Sequence, residues 1–145
     1  MIHQKDLRLG DLVQITEDLL EYKQGDTFVV IDISEDYIGL RSPDKSDGRP
    51  DMYTIRDHIE GVPLTPEILE KNGWNKRHDP TSSCDIYSKG KGAFYVSLEQ
   101  SIYKKQEGFE LVVADSTYRF GNKLQYVHQL QHILWALGED AKLII

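Results

Sequence analysis

A chain of 145 residues is the size of one ordinary domain, or of two small modules that share a core. Its single cysteine excludes an intramolecular disulfide and a cysteine-rich zinc site. The net charge of −7 arises in residues 1–62, where seven Lys and Arg face fourteen Asp and Glu, while residues 63–145 carry ten of each sign. The acidic first part should repel phosphate backbones, which argues against nucleic-acid binding through it.

The start of the chain lacks the apolar stretch of a signal peptide. No apolar run approaches the ~20 residues that span a bilayer, so we expect no membrane segment. These two features predict a cytoplasmic protein, in a bacterial cell or in an infected host bacterium.

Residues 1–62 contain short β-prone segments separated by turns. Several short strands after a Gly-Asp bend favour a small, partly open SH3-like β-barrel. A loop rich in turn-forming residues is predicted over residues 42–51. The predicted strands are Leu7–Ile15 with a bend at Gly10, Thr27–Ser34, Tyr37–Arg41 and Met52–Ile55.

The segment Gly61-Val62-Pro63 predicts a junction between an acidic module, residues 1–62, and a second module, residues 63–145. In the second module, Thr65 is the predicted N-cap of a short helix that has Pro66 at its first position and ends before Gly73. A polar loop is predicted next, over residues 75–83. Alternating apolar residues then predict an antiparallel meander. Its strands are Asp85–Lys89, Ala93–Glu99, Phe109–Asp115 and Thr117–Phe120.

An amphipathic helix over Leu124–Leu137 is the strongest local signal in the chain. Its apolar residues recur at i, i+3 and i+4, which predicts a stripe packed on a sheet. The stripe is Leu124, Val127, Leu130, Ile133, Leu134 and Leu137. Residues 141–145 form a predicted edge strand. The fold expected overall is α+β, with an N-terminal SH3-like barrel, then a meander between a short helix and a long one, the two modules sharing one core.

His128 and His132 lie four residues apart on this helix, so both project from one face. A catalytic zinc site needs a third ligand, and Gln129 stands where a metalloprotease helix has Glu. We therefore predict no metal, and interpret His128, Gln129 and His132 as a surface that contacts a ligand or a second subunit. No nucleophile elbow, P-loop or dinucleotide fingerprint occurs, so no catalytic residue and no cofactor is predicted.

Tyrosines and basic residues accumulate in the second module. Aromatic faces stack on bases and ammonium groups neutralise phosphates, so these residues are candidate ligands for a nucleotide-like anion. The candidate set is Tyr87, Lys89, Lys91, Tyr95, Lys104, Lys105 and Arg119, with Tyr103 and Tyr118 nearby. Tyrosines on strands and lysines at turns are also common in sheets without any ligand.

Three segments resemble small uncharacterised proteins of gut Bacteroidetes genomes, their prophages and related phages. They are LRLGDLV at residues 7–13, VPLTPEILEKNGW at 62–74 and YVHQLQ at 126–131. The resemblance spans most of the chain in order and is weakest in the middle strands. That family usually ends in Ala-Leu-Thr-Gly-Glu, whereas residues 136–139 lack the Thr, which shortens the cap. No assigned activity comes with the resemblance, so it implies a mobile-element accessory protein and transfers no catalytic residue.

These observations predict a non-enzymatic accessory binding protein of phage or prophage origin. It would counter host defence by sequestering a small nucleotide-like anion or by occupying a host protein, and a homo-oligomer is compatible with either role. Two alternatives stay open at this point. One is a nucleic-acid-associated accessory protein, which the charge of residues 1–62 disfavours. The other is a small nucleotide hydrolase, whose carboxylates or histidines would have to converge in space.

Overall fold

The computed structural model describes residues 2, 6–90, 96–113 and 118–145, without the side chains of residues 45, 113 and 118–122. The chain divides into two compact units, Met1–Val62 and Pro63–Ile145. Each unit contains one five-stranded antiparallel sheet. The predicted α+β class is confirmed. Within the described ranges, no helix has the length and apolarity that crossing a bilayer requires.

The sheet of the first unit has the strand order β4-β3-β2-β1-β5. Short strands suffice here because their inward side chains meet in one apolar cluster that includes Val13, Phe28 and Leu40. A 3-10 turn at Arg56–His58 separates the last two strands. The strands are β1 Leu12–Ile15, β2 Thr27–Ile33, β3 Ile38–Arg41, β4 Met52–Thr54 and β5 Ile59–Gly61.

The first strand is shorter than predicted, because the chain turns before it. Gly10 has a φ of 92°, a conformation that favours glycine, and the Asp11 carboxylate accepts a hydrogen bond from the Arg8 N–H at 2.7 Å. Strand pairing therefore begins at Leu12 rather than at Leu7.

The second unit contains a meander of consecutive antiparallel strands between two helices, in the order β10-β9-β8-β7-β6. The first helix begins as predicted: the Thr65 hydroxyl accepts a hydrogen bond from the Ile68 N–H at 3.4 Å, and Pro66 is the first helical residue. The elements are α1 Pro66–Lys71, β6 Asn75–Asp79, β7 Cys84–Lys89, β8 Val96–Ser101, β9 Phe109–Val113, β10 Tyr118–Leu124 and α2 Val127–Ala136.

Two predictions about this unit are wrong. Residues predicted as a polar loop include β6, which pairs with β7 at all five of its positions, from Asn75 opposite Ser88 to Asp79 opposite Cys84. Residues 141–145 form no strand. β6 is paired by the neighbouring strand β7, whereas residues 141–145 are held by distant residues such as Asn72, and in neither segment does an apolar pattern report these contacts.

The second helix begins three residues later than predicted, because Leu124 is the last residue of β10. Gln129 fixes the start: its side-chain oxygen accepts hydrogen bonds from the N–H groups of Gln125 and Tyr126, at 2.8 and 3.1 Å. The apolar stripe is buried at Val127, Leu130 and Leu134, as the periodicity predicts, while Leu137 lies beyond the helix and is exposed.

Candidate functional site

Tyr87 is fully buried, although the sequence suggested that its ring stacks on a ligand. The ring lies edge-on to Phe109, with 5.7 Å between centroids. Tyr87 sits in β7 opposite Leu98 of β8, which is also fully buried. Its ring therefore belongs to the core and is not available to a base.

The basic residues of the predicted ligand set lie in two groups. Lys89 ends β7 opposite the start of β8, whereas Lys104 and Lys105 follow the end of β8. The six residues of β8 place roughly 17 Å of strand between the groups. Lys89 donates a hydrogen bond to the Asn72 carbonyl at 2.9 Å, and Lys104 lies 3.6 Å from Glu107.

The remaining members of this set are Arg119, Lys91 and Tyr95. Arg119 is on β10 opposite Val112, three strands away from β7, and its side chain is outside the described part of the structure. Lys91 and Tyr95 also lie outside the described residues. The described members of the set therefore do not converge on one place.

Two of the three residues in the predicted contact surface on α2 are engaged within the unit. His128 is only 4% exposed, and its ring stacks on Tyr126 at 5.8 Å and meets His132 edge-on at 5.8 Å. Gln129 is occupied by capping the helix. The third residue, His132, is half-buried and neither packs in the core nor caps the helix.

Alanine at His128 should therefore destabilise the chain, whereas alanine at His132 should not. We expect His128→Ala to lower the free energy of unfolding by about 2 kcal/mol, since it removes a buried, stacked ring. His132→Ala should change it by less than about 0.5 kcal/mol. Urea unfolding followed by circular dichroism measures both. Equal small effects would mean that the ring of His128 contributes no packing.

The hydroxyl of Tyr87 is buried and, among the described residues, has no hydrogen bond of good geometry, while the Lys76 ammonium lies 5.9 Å from the centre of its ring. We expect Tyr87→Phe to raise the free energy of unfolding by about 1 kcal/mol at neutral pH, because it removes a desolvated hydroxyl. Burial, opposed by the Lys76 ammonium, also raises the pKa of Tyr87 in the folded state. The folded chain thus holds this proton more tightly than the unfolded chain.

That pKa difference gives the Tyr87→Phe variant a second signature. The tighter binding of this proton in the folded chain adds to the free energy of unfolding. This contribution is fully present below the unfolded-state pKa of about 10 and is lost as the pH rises above it. The variant should lose less stability than the parent between neutral pH and pH above 10, as measured by thermal unfolding. A variant that is less stable than the parent at neutral pH would show that the hydroxyl is bonded after all.

An exposed group of aromatic and aliphatic side chains lies on the first unit, and we call Tyr37, Tyr53 and Ile55 the aromatic patch. Their exposed fractions are 42%, 58% and 49%, which is high for such large side chains. The two tyrosine rings meet edge-on, with 5.4 Å between centroids and an angle of 81°. None of these three residues was predicted from the sequence to bind a ligand.

The sheet itself presents the aromatic patch. Tyr53 alternates with the buried Met52 and Thr54 on β4, so its ring points away from the core. Its strand neighbour on β3 is Gly39, and a Cβ there would lie 3.0 Å from the ring and 2.8 Å from the Asp32 Cβ. The missing side chain at Gly39 leaves room for the ring of Tyr53.

Two turns position the rest of the patch. Tyr37 follows a turn in which its N–H donates to the Ser34 hydroxyl at 3.2 Å. Ile55 precedes the 3-10 turn that contains His58, whose Nδ1 lies 2.9 Å from the Thr54 hydroxyl oxygen. The other ring nitrogen of His58 lies 2.9 Å from the Glu17 carboxylate. These bonds hold both flanks of the patch in fixed positions.

A cavity of about 270 Å³ opens beside the patch. Two carboxylates, Asp36 and Asp57, line it together with the Arg56 guanidinium. The remaining lining residues are Tyr37, Ile38 and Ile55. The cavity therefore has a mixed apolar and charged lining, in which two carboxylates outnumber one guanidinium, and it lies in a unit whose net charge is −7. Such a place can hold an apolar side chain next to a cation.

A metal centre has no basis in the described ranges, where no three His, Cys, Asp or Glu side chains are grouped to hold an ion. Comparison with protein-family models, curated proteins and solved structures finds no match to this chain.

Proposed function

We propose that this chain is a non-enzymatic binding protein whose aromatic patch holds an extended, basic segment of a partner protein. The observation that carries the proposal is the exposure of Tyr37, Tyr53 and Ile55 as one group beside an acidic cavity. Contiguous exposed apolar groups with a polar rim are typical of interaction sites, and tyrosine is enriched at the centres of such interfaces.

A basic segment fits this surface by charge. The first unit carries an excess of seven acidic groups, and two of its carboxylates rim the cavity. Lysine or arginine next to an apolar residue would place its cation at Asp36 or Asp57 and its neighbour against Ile55. The same excess of acidic groups repels phosphates, which is why we choose a protein partner over a nucleotide or nucleic acid.

We also propose that the first unit is an SH3-like barrel. Support comes from the strand order, in which β5 returns to pair with β1, and from the 3-10 turn directly before β5. The register of β2 against β3 shifts between Val30 and Asp32, as it does at a β-bulge. In this arrangement the aromatic patch lies next to the 3-10 turn and the β2–β3 turn. Binding residues are often found on such connecting segments.

The cellular role that we propose follows from the resemblance to mobile-element proteins. An accessory protein that occupies a basic segment of a host protein could block a defence function without catalysis. A nucleotide-like ligand has weaker support, since the described lysines of the predicted set lie at two ends of a sheet.

The test uses the full chain and a panel of fluorescent ten-residue peptides in which Lys or Arg alternates with apolar residues. A matched panel replaces each basic residue with Glu. We expect saturable binding of basic peptides by fluorescence anisotropy, weakened by salt, and no binding of acidic ones. Failure of every basic peptide to bind, or equal binding of both panels, would overturn the proposal.

A further inference from the structure

Residues 141–145 run along the end of α1 and are held there mainly by side chains that contact their main chain. Asn72 binds the backbone of Ile144 twice: its side-chain oxygen accepts from the Ile144 N–H at 2.8 Å, and its side-chain nitrogen donates to the Ile144 carbonyl at 2.7 Å. Lys71 donates to the Ile145 carbonyl at 2.7 Å and Gln131 to the Ala141 carbonyl at 3.1 Å. The segment is thus recognised through its peptide groups.

Asn72 is also held by contacts other than those to residues 141–145. Its side-chain nitrogen donates to the Ile68 carbonyl at 2.8 Å, at the end of α1. Its main-chain carbonyl accepts from the Lys89 ammonium at 2.9 Å, which positions the backbone of Asn72 and not its side-chain amide. An amide that is already oriented loses little conformational freedom when it binds a peptide, so this geometry is suited to recognition.

The contacts made by Asn72 do not depend on the side chain of the bound residue. Ile144 is largely exposed, and Leu143 is half-buried. When an extended peptide joins the edge of a sheet, one of its residues both donates its N–H and accepts at its carbonyl. Here the Asn72 side chain alone makes both of these hydrogen bonds. Any extended segment with a free N–H and carbonyl at that position satisfies the same contacts.

We propose that Asn72, Lys71 and Gln131 form a binding site for an extended peptide, which we call the Asn72 site, and that residues 141–145 occupy it as an internal competitor. The ligand would be a segment of another protein that resembles residues 141–145. It is a site separate from the aromatic patch, in the other unit of the chain, and does not depend on the function proposed for that patch.

The test opens the site within the full chain. Ile144→Pro removes the N–H that donates to Asn72, whereas Ile145→Pro leaves both Ile144 contacts in place, because Ile145 contributes only its carbonyl. The probe is a fluorescent peptide with the sequence of residues 139–145. We expect the Ile144→Pro chain to bind it at least about tenfold more tightly than the parent or the Ile145→Pro chain, since a tethered competitor acts at millimolar effective concentration.

Controls address site and ligand separately. Adding Asn72→Ala to the Ile144→Pro chain should abolish binding, and a peptide with Pro at the position of Ile144 should not bind. Should Ile144→Pro disturb folding, Leu143→Asp loosens the segment by a different contact and should also raise affinity for the probe. The proposal is overturned if folded opened chains do not bind the peptide, or if they bind it equally well without Asn72.

Discussion

Replacing Leu130 with alanine should lower the free energy of unfolding by about 3 kcal/mol. Leu130 is fully buried in the middle of α2, between Val127 and Leu134 of the same stripe. Removing its three outer carbons loses transfer free energy and leaves a cavity that the surrounding side chains fill only partly. Urea unfolding of parent and variant, with similar slopes in both, measures the difference.

Trp135 provides the control on the same helix. Its side chain is 69% exposed, so Trp135→Ala removes more atoms than Leu130→Ala but should change the free energy of unfolding by less than about 1 kcal/mol. Comparable losses in the two variants would contradict the assignment of the buried face, since they would follow side-chain size and not burial.

Both helices were predictable because their signals are local. The Thr65 cap, Pro66 and the spacing of Val127, Leu130 and Leu134 each act within one or two turns of the chain. Boundaries were less accurate where a distant residue decides them. Leu124 has the helical spacing, yet its backbone pairs with Phe109 of β9, and the helix begins only after it.

The strands β5 and β6 were missed for a related reason. The three residues of β5 stand next to a Pro that predicts a junction, and the pairing with β1 spans more than forty residues of sequence. The residues of β6 are polar and mostly exposed, so they have no apolar alternation. Both segments are strands because a neighbouring strand pairs with them. The sequence of one segment does not show which strand it pairs with or in which register.

The same limit applies to the site residues. Tyr87 and Lys89 are two positions apart in sequence, yet one is in the core and the other is bonded to the end of α1. Residue type suggested a shared ligand, whereas the strand register separates Lys89 from Lys104 and Lys105. Alternation along a strand could have placed Tyr53 and Ile55 on one face, but that this face points outward follows from the burial of Met52 and Thr54.

Combining Tyr53→Ala with Ile55→Ser should weaken binding of the basic peptides by about thirtyfold. The pair supplies a tyrosine ring and an aliphatic wall at the centre of the proposed surface, and truncating central residues of this kind costs about 2 kcal/mol of binding free energy. Both side chains are about half exposed, so the folded chain should keep its thermal stability within a few degrees. Fluorescence anisotropy with the peptide panel gives the affinity of each variant.

Tyr103→Ala is the matched control for the aromatic patch, because Tyr103 is 78% exposed and belongs to the other unit. Tyr103→Ala should leave peptide affinity unchanged. If basic peptides were attracted to any exposed tyrosine, Tyr103→Ala would weaken binding as the Tyr53 and Ile55 substitutions do. Neutralising Asp36 and Asp57 with Asn should instead lower affinity mainly at low salt, because their contribution is electrostatic and screened by ions. If the Asp36 and Asp57 substitutions weaken binding but the Tyr53 and Ile55 substitutions do not, the interaction is general charge attraction and the aromatic patch is not the binding site.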